Sequence, residues 1–254
     1  MDTTKVAIVI VNYNMPERAD ALAEYIHEFV RWPYELIVVD NGSDQDPSRY
    51  TSLTLGRNVQ TTNGWLAGIQ YANALAAMQG EKYLSYWMMI TSAAFVGGGD
   101  VLKPMAEWLI EHPDAEGIHP ALTPRSTTTW KHLITRPDAA PRPRKTWMID
   151  NIAALWRAEW FDSIGRFDPK LIYGWGIDLE TCWKARMSGL TLWVDERVRM
   201  EKITDIGYTM RRMGMDAQTR RELATENMRS ILSVRYGADW WDKMTKDGVY
   251  DDLR

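Results

Sequence analysis

The chain has 254 residues, of which 45% are hydrophobic and 25% are charged. This balance is typical of a soluble globular protein and excludes disordered, fibrous and collagen-like chains. Thirty Lys and Arg residues against 34 Asp and Glu residues give a formal net charge of −4. The whole chain therefore offers no attraction to nucleic acid, and we expect no nucleic-acid partner. The one cysteine, Cys182, excludes an internal disulfide.

The apolar runs are too short for a membrane. The first of them, Val6–Val11, is shorter than a signal sequence or a spanning helix, and no run of about 18 apolar residues follows. We therefore expect a soluble, cytoplasmic protein without an integral membrane segment. Thirteen Trp against four Phe favour flat amphipathic ligands such as sugars and bases, although tryptophans of a core or an interface would give the same count.

The first half of the sequence alternates between strands and helices. Val6–Val11 is a continuous β-favouring run, 17–31 has apolar residues at helical spacing, and Leu36–Val39 is a second β-favouring run. Together they predict a βαβ unit with a right-handed crossover. The alternation continues with a helix over Leu66–Met78, a strand over Tyr83–Ile90, a helix over Val101–His112 and a strand over Gly117–Leu122. The pattern predicts an α/β fold with a Rossmann-like, mostly parallel central sheet flanked by helices, whose ligands bind at the carboxyl ends of the strands.

The second half is more irregular. No linker divides the chain, so we predict a single domain over 1–254, with a nucleotide-binding half over 1–122. Residues 123–146 are rich in Pro, Arg, Lys and Thr, which disfavours helices and central strands. This segment is either a flexible lid that brings cations to a bound anion or a solvated insertion. Beyond it we predict a strand over Trp147–Trp156, helices over Ala158–Ile164 and Leu179–Met187, a strand over Leu190–Val194 and a charged helix over Asp216–Tyr236.

Several common functional motifs are absent. The first strand is followed neither by a phosphate-binding Gly-x-x-x-x-Gly-Lys loop nor by a Gly-x-Gly-x-x-Gly turn, which disfavours P-loop NTPases and dinucleotide enzymes. Gly97-Gly98-Gly99 is interpreted as a turn. The four histidines show no paired metal-ligand spacing, and Cys182 has no obvious basic partner that would activate it as a nucleophile.

Polar residues follow both strands of the βαβ unit. Asn12-Tyr13-Asn14 ends the first strand and Asp40 begins the loop after the second. An aromatic ring there can stack on a base, and a carboxylate can accept hydrogen bonds from a base or a ribose. With Asn63-Gly64-Trp65-Leu66-Ala67-Gly68, this combination resembles the start of family 2 glycosyltransferases, which have the GT-A fold. The resemblance implies that Tyr13, Asp40 and Asn63 bind the nucleotide-sugar donor.

The resemblance continues in the second half and covers Lys5–Lys202. Ile164-Gly165-Arg166-Phe167-Asp168-Pro169 is similar to the Gly-x-Phe-Asp segment of that family, and it leads into Tyr173–Glu180. In the family, an acidic pair at the start of a helix supplies the base for the acceptor hydroxyl. The resemblance therefore implies that Asp178 is the catalytic base and that Glu180 supports it. It also implies that Trp175 and Asp150 bind the acceptor, in a half that spans 147–254.

Each of these roles has a structural alternative. Asp178 is also what the electrostatics of a helix N-terminus favours, and Trp175 could belong to a core.

The sequence departs from the family at the metal site. Where relatives have an Asp-x-Asp that binds a divalent metal, this chain has Thr91-Ser92-Ala93-Ala94, and Met200-Glu201-Lys202 occupies the region of a later metal-associated histidine. We therefore assign no metal ligand, although Mn²⁺ or Mg²⁺ stays possible as a cofactor. Either cations take over the role of the metal or the chain is no longer a transferase. Ser92 and Lys202 are assigned to the donor site, and further candidate cations are Arg211, Arg212, Arg142, Arg144 and Lys145.

Two functions follow as hypotheses. The first is transfer of a sugar from a nucleotide-sugar donor to a glycan or another hydroxyl acceptor, with inversion of configuration. The second is a non-catalytic protein that binds nucleotides or glycans on a degenerate glycosyltransferase scaffold. The donor site depends on Tyr13 and Asp40 facing one shared cavity.

Overall fold

The computed structural model describes residues 4–44, 46–137, 140–203 and 214–246. Its first half contains β1 (Val6–Asn12), α1 (Pro16–Phe29), β2 (Tyr34–Asp40), β3 (Thr51–Thr54), α2 (Gln60–Gln79), β4 (Ser85–Ile90), β5 (Ala93–Phe95), α3 (Lys103–Glu111) and β6 (Ala115–Leu122). Its second half contains β7 (Pro143–Thr146), β8 (Leu155–Arg157), α4 (Ala158–Ser163), α5 (Ile177–Met187), β9 (Thr191–Lys202), α6 (Ala217–Tyr236) and α7 (Trp240–Lys246). A short 3-10 helix lies at Lys131–Leu133.

These strands form one mixed sheet. In the described chain the strands lie in the order β3, β2, β1, β4, β8, β6, β9 and β5, and β7 also pairs with β9. Parallel pairs join β1 to β2, β1 to β4, β2 to β3 and β6 to β9. Each antiparallel pair includes β8 or β9, which come from the second half of the chain. The first half thus supplies a parallel unit that the second half extends.

The register of the parallel unit brings three strand ends together. Asn12 of β1 lies opposite Asp40 of β2, and Val11 of β1 lies opposite Ile90 of β4. Because parallel strands point the same way, the loops that follow them open at one edge of the sheet. The polar residues after β1, β2 and β4 therefore meet at this edge.

Both faces of the sheet are covered by helices. Alternate residues of a strand point to opposite faces, and Val6, Ile8 and Ile10 pack into a core with α1 and α3. Ala7 and Val9 pack into a second core with α2, α5 and α6. This two-sided burial explains why β1 is apolar throughout rather than alternating. No helix in the described ranges combines the length and the apolar character that a bilayer crossing needs.

The helices and strands of the first half are confirmed within a few residues, with one informative difference. Helix α2 begins at Gln60, six residues before the predicted start at Leu66. Asn63 and Gly64 therefore lie inside the helix and not in a loop before it. The predicted pattern missed the short edge strands β3 and β5, since four and three residues carry too little periodicity to be recognised.

The second half departs further from expectation. The predicted strand over Trp147–Trp156 is wrong, because within it only Leu155 and Trp156 belong to a strand. Met148 and Ile149 are fully buried, so the apolar run reflects burial of an irregular segment. In the Pro-rich segment 123–146, residues 143–146 form β7, which pairs with β9. Pro143 is tolerated in this strand because β7 is an edge strand.

Close packing of α2 on the sheet requires a glycine at position 68. A Cβ atom on Gly68 would lie 2.4 Å from Cγ1 of Val9 and 2.9 Å from Cγ2 of Val39, both on strands that cannot move away. We expect Gly68→Ala to lower the free energy of unfolding by about 1–3 kcal/mol, in spite of the higher helix propensity of alanine. Urea unfolding measures the change. Gly56→Ala is the matched control, because nothing lies within 4 Å of an added Cβ there; equal losses in the two variants would contradict the close approach.

Candidate active site

A cavity of about 310 Å³ opens beside the carboxyl ends of β1 and β4. This volume lies at the lower end of the range for small-molecule sites. Amides, hydroxyls, three aromatic rings and two guanidinium groups dominate its wall. The lining residues are Val11, Tyr13, Asn41, Asn58, Gln60, Thr61, Ile90, Thr91, Ser92, Tyr173, Trp175, Ala217, Arg220 and Arg221. The sheet edge, α2, the loop before α5 and the start of α6 thus surround one space.

The loop after β1 holds Tyr13 in the cavity wall. The next residue, Asn14, has a φ of 55°, in the left-handed region that Asn adopts more readily than most other residues with a side chain. The backbone N–H of Asn14 donates to Oγ of Ser43 at 2.9 Å, and Oδ1 of Asn14 accepts from the N–H of Asp44 at 2.8 Å. The Tyr13 hydroxyl donates to Oδ2 of Asp44 at 3.4 Å. The loops after β1 and β2 therefore fix each other.

Asp40 lies behind the cavity wall, so the structure brings only Tyr13 of the expected pair to the cavity. Asp40 is 3% exposed, and its Oδ1 accepts from the side-chain amide of Asn12 at 3.4 Å. Its Oδ2 accepts from the N–H of Ser43 at 3.3 Å. Both carboxylate oxygens are thus engaged within the protein, and the following residue, Asn41, lines the cavity in its place.

Asn41 organises the first turn of α2. Its Nδ2 donates to Oδ1 of Asn58 and to the carbonyl of Gln60, both at 3.2 Å, and its Oδ1 accepts from the N–H of Val59 at 3.0 Å. Gln60 has a φ of 68°, a second left-handed conformation at the cavity. Strained backbone held by several hydrogen bonds is characteristic of ligand sites. The turn presents the Gln60 side chain to Arg220.

Arg220 of α6 is held in place without a carboxylate partner. Its Nη1 donates to Oε1 of Gln60 at 2.7 Å, and its Cζ lies 4.5 Å from the ring centroid of Tyr173. Burial lowers the pKa of Arg220, because loss of water disfavours the charged form. Arg221, which is exposed, lines the cavity beside it. Among the described residues, no ion pair joins either guanidinium to an acidic side chain.

The loop before α5 carries Tyr173 and Trp175 to the cavity. Helix α2 anchors this loop, since the N–H of Thr62 donates to the carbonyl of Ile172 at 3.2 Å. The hydroxyl oxygen of Thr62 also accepts from the N–H of Gly174 at 3.1 Å. Trp175 is 43% exposed, so the structure gives it no core position and leaves its ring accessible to a ligand.

Asp178 lies in the first turn of α5. The helix follows Gly176, whose φ of 85° favours glycine, and Oδ1 of Asp178 accepts from the N–H of Leu179 at 2.9 Å. Burial, and then the negative charge of Asp150, raise the pKa of Asp178 to about 7. Burial also raises the pKa of Asp150, while the charge of Lys202 opposes that rise. The two carboxylates thus form an electrostatically linked pair that takes up a proton near neutral pH.

Lys202, at the end of β9, lies between the carboxylate pair and the cavity. Ser92 lines the cavity, and its carbonyl accepts from the N–H of Ile203 at 2.8 Å. In the next position of this pairing, Ala93 lies opposite Lys202. Lys202 itself is outside the lining, and its charge acts on Asp150. Neither Asp150 nor Asp178 lines the cavity, so the site consists of two adjacent regions.

Two predicted site residues face other parts of the fold. Asn63 donates from Nδ2 to the carbonyl of Pro169 at 3.3 Å, which ties α2 to the loop before α5. Glu180 is fully buried and accepts from Nη1 of Arg235 and from the Tyr236 hydroxyl, both at 2.5 Å. Lys184 lies 3.5 Å from the same carboxylate. Glu180 therefore joins α5 to α6 and does not reach the cavity.

The cations expected in the Pro-rich segment lie outside the cavity lining, and two of them contact other parts of the fold. Arg144 donates from Nε to Glu196 at 3.2 Å, and from Nη2 to the carbonyl of His132. Lys145 lies 5.5 Å from the ring centroid of Trp193. Arg142 is exposed and is outside the cavity lining. The remaining candidates, Arg211 and Arg212, lie outside the described residues.

The donor set at the end of β4 does not suit a divalent metal ion. Mn²⁺ and Mg²⁺ prefer carboxylate oxygens, whereas Thr91 and Ser92 offer hydroxyls and Ala93 offers no side-chain ligand. Within the described ranges, no three His, Cys, Asp or Glu side chains form a group that could hold a metal. The residues present therefore do not fit a metal held by protein carboxylates.

Two solved structures share this fold. A structure of GalNAc-T7 with UDP, GalNAc and Mn²⁺ matches with a TM-score of 0.59 at 12% sequence identity, over 80% of this chain and 44% of that chain. The mannosyltransferase PcManGT from Pyrobaculum calidifontis, in complex with GDP-Man and Mn²⁺, matches with a TM-score of 0.61 at 17% identity, over 91% of this chain and 64% of that chain. This chain spans less than two thirds of either. No protein-family model and no curated protein matches the sequence.

These likenesses show the fold: the chain has the GT-A fold of nucleotide-sugar glycosyltransferases, as its sequence resemblance implies. At 12% and 17% identity, fold alone does not determine chemistry, which depends on the residues of the site.

Sequence reasoning missed Asn41, Gln60, Tyr173, Arg220 and Arg221. Two of them carried a signal, because Arg220 and Arg221 are the fourth and fifth residues of α6. A cation at the positive end of a helix dipole is unfavourable, so its presence there points to another requirement. Asn41 and Gln60 carried no such signal in the sequence, since their positions in the cavity wall arise from the conformation of the turns.

The Glu180 network yields a stability prediction. We expect Glu180→Ala to lower the free energy of unfolding by about 2–3 kcal/mol, because it removes charged hydrogen bonds to Arg235 and Tyr236. Arg235 keeps its pair with Asp168, which limits the loss. Urea unfolding measures it, and the exposed Glu226→Ala on α6 is the control. An unchanged stability together with lost turnover would show that Glu180 acts in the chemistry.

Proposed function

We propose that this protein is a glycosyltransferase that moves a sugar from a nucleotide-sugar donor to a hydroxyl acceptor with inversion. One observation carries the proposal: a cavity with two arginines at the carboxyl ends of β1 and β4 lies next to a carboxylate, Asp178, whose pKa is raised to about 7. The fold supports it, since the structural neighbours were solved with UDP and GalNAc or with GDP-Man. The motif resemblance favours family 2 as its class.

Asp178 would act as the base on the acceptor. Its ionised carboxylate accepts the hydroxyl proton as the acceptor oxygen attacks C1 of the donor sugar. The bond from C1 to the phosphate oxygen breaks, and its electron pair leaves with the nucleoside diphosphate. Attack on the face opposite the leaving group inverts the configuration at C1. A base with a pKa near the working pH is both ionised and basic enough for this transfer.

The other residues would hold the reactants. Tyr13 and Asn41 line the cavity beside the strand-end loops, where the Tyr13 ring can stack on a nucleobase and Oδ1 of Asn41 can accept a second hydrogen bond. Trp175 offers an accessible indole to the acceptor sugar, three residues before Asp178. Ser92 offers a hydroxyl to the donor from the end of β4.

A second function is favoured by the residues at the end of β4. Thr91-Ser92-Ala93 replaces the acidic motif of the family, and Asp40 is engaged within the protein. A binding protein on the same scaffold would keep the cavity and lack turnover. It would be stabilised by a nucleotide or a glycan without converting it.

Turnover separates the two functions. We expect the wild-type protein to hydrolyse or transfer at least one of the UDP, GDP, CDP and dTDP sugars, followed by mass spectrometry. We expect Asp178→Asn to lower kcat by about 10²- to 10⁴-fold, because it removes the general base. Nucleotide binding should change little.

The exposed Asp239→Asn is the matched control for this substitution. The loss in Asp178→Asn should not come from unfolding, because a carboxyl group whose pKa is raised to about 7 in the folded protein lowers the free energy of unfolding as the pH rises from about 4 to about 7, and this penalty stays in full at higher pH. The amide removes that penalty. Equal turnover of Asp178→Asn and wild type would overturn the role of Asp178 as base, and binding without turnover by the wild type would favour the binding protein.

The Asp150 and Asp178 pair yields a pH prediction. A base must be ionised to act, so we expect kcat/KM to fall as the pH drops below about 7. Asp150→Asn removes the repulsion that is the second cause of the raised pKa of Asp178, so the fall should move to lower pH while burial keeps it above the ordinary range of Asp. Glu201→Gln, whose carboxylate pairs with Arg125 at 2.9 Å, is the control. A profile unchanged by Asp150→Asn would show that the two carboxylates do not interact.

A further inference from the structure

The cavity wall has a one-sided charge. Arg220 and Arg221 contribute two guanidinium groups, and no Asp or Glu of the described chain lines the cavity. Two side-chain hydroxyls that can donate to an anion also line the cavity, those of Thr61 and Ser92. The cavity wall is therefore locally positive in a chain whose formal net charge is −4.

Arg220 is positioned and partly desolvated without compensation by a negative charge. Its contacts are the neutral oxygen of Gln60 at 2.7 Å and the face of Tyr173 at 4.5 Å. These contacts fix the plane of the guanidinium but leave its charge unpaired in the described structure. Buried charges in proteins are normally paired. An anionic ligand in the cavity would supply the partner.

The helix position of these residues is a second and independent observation. α6 is 20 residues long, and Arg220 lies in its first turn, where the helix dipole repels a cation. A phosphate bound there would interact favourably with both the dipole and the guanidinium. The helix dipole and the Arg220 guanidinium repel each other in the free protein, and both would attract the same bound anion.

We propose that Arg220 and Arg221 bind the diphosphate of the nucleotide-sugar donor and neutralise the charge of the nucleoside diphosphate as it leaves. This inference rests on the proposed function, and it explains how transfer proceeds where Thr91, Ser92 and Ala93 replace metal-binding carboxylates. The planar fork of a guanidinium matches two phosphate oxygens at once. One arginine for each phosphate matches the charge of the diphosphate group.

Calorimetric titration in EDTA tests the assignment. The probes are UDP and GDP, the matched nucleosides uridine and guanosine, and inorganic pyrophosphate. We expect the wild type to bind at least one nucleoside diphosphate, and Arg220→Gln and Arg221→Gln each to weaken it by about 10- to 100-fold, as for loss of a charged hydrogen bond. Binding of the matching nucleoside should be unchanged, and the weakening should shrink at high salt.

Arg229→Gln is the matched control, because this exposed residue lies on the same helix and outside the cavity lining. Arg220 supports Gln60 and Tyr173, so thermal unfolding accompanies each titration. Arg221 is exposed, which keeps the test available if Arg220→Gln fails to fold.

Four outcomes would overturn the inference. The first is equal binding of UDP or GDP by the wild type, Arg220→Gln and Arg221→Gln. The second is binding that EDTA abolishes and Mn²⁺ restores, and the third is pyrophosphate binding as tight as that of UDP and GDP, which would indicate a site for a free diphosphate. The fourth is sugar transfer that is unaffected by both substitutions, which would leave the proposed function standing. Arginine-dependent binding of UDP or GDP without turnover of any donor would overturn the proposed transfer and support the anion site.

Discussion

The whole site depends on the in-register parallel pairing of β1 with β2 and β4. This pairing places Asn12 beside Asp40 and Val11 beside Ile90, so three loops with polar residues open at one edge. A register shift of one residue would turn every side chain of β1 to the other face, so that Val6, Ile8 and Ile10 would exchange cores with the differently sized Ala7 and Val9. The burial of Val6–Ile10 therefore fixes the position of Tyr13 as firmly as any contact at the cavity.

A second constraint follows from how closely α2 approaches this sheet. Gly64 and Gly68 lie one turn apart on the helix face that meets Val9, Val11 and Val39, and larger residues there would push the helix away. Its first turn carries Gln60, which orients Arg220, and Thr62, which anchors the loop before α5. Packing far from the ligand thus determines the position of groups that come from three different parts of the chain.

The sequence predicts those parts of the site that depend on local pattern. Apolar runs and their polar ends are enough to locate β1, β2 and β4, whereas Asp178 is singled out by the resemblance to family 2 glycosyltransferases. It does not predict the direction of the Asp40 side chain, because Asn12 and Ser43 each donate to one of its carboxylate oxygens only after the loops have folded. It predicts α6 only as a charged helix, since the position of Arg220 in the cavity wall depends on contacts with Gln60 and Tyr173, which are distant in sequence.

The two regions of the site have opposite charge, and this matches the electron flow of the proposed transfer. The acceptor loses a proton near the carboxylates of Asp150 and Asp178, while the leaving diphosphate gains negative charge. Positive groups help only where charge develops, so cations belong on the side of the leaving group and carboxylates on the side of the acceptor. The structure has this separation, with Arg220 and Arg221 in the cavity wall and both aspartates outside it. Placing Lys202 beside Asp150 limits the mutual repulsion of the aspartates, so that the pKa of Asp178 settles near neutrality and the base is ionised in a useful fraction of molecules.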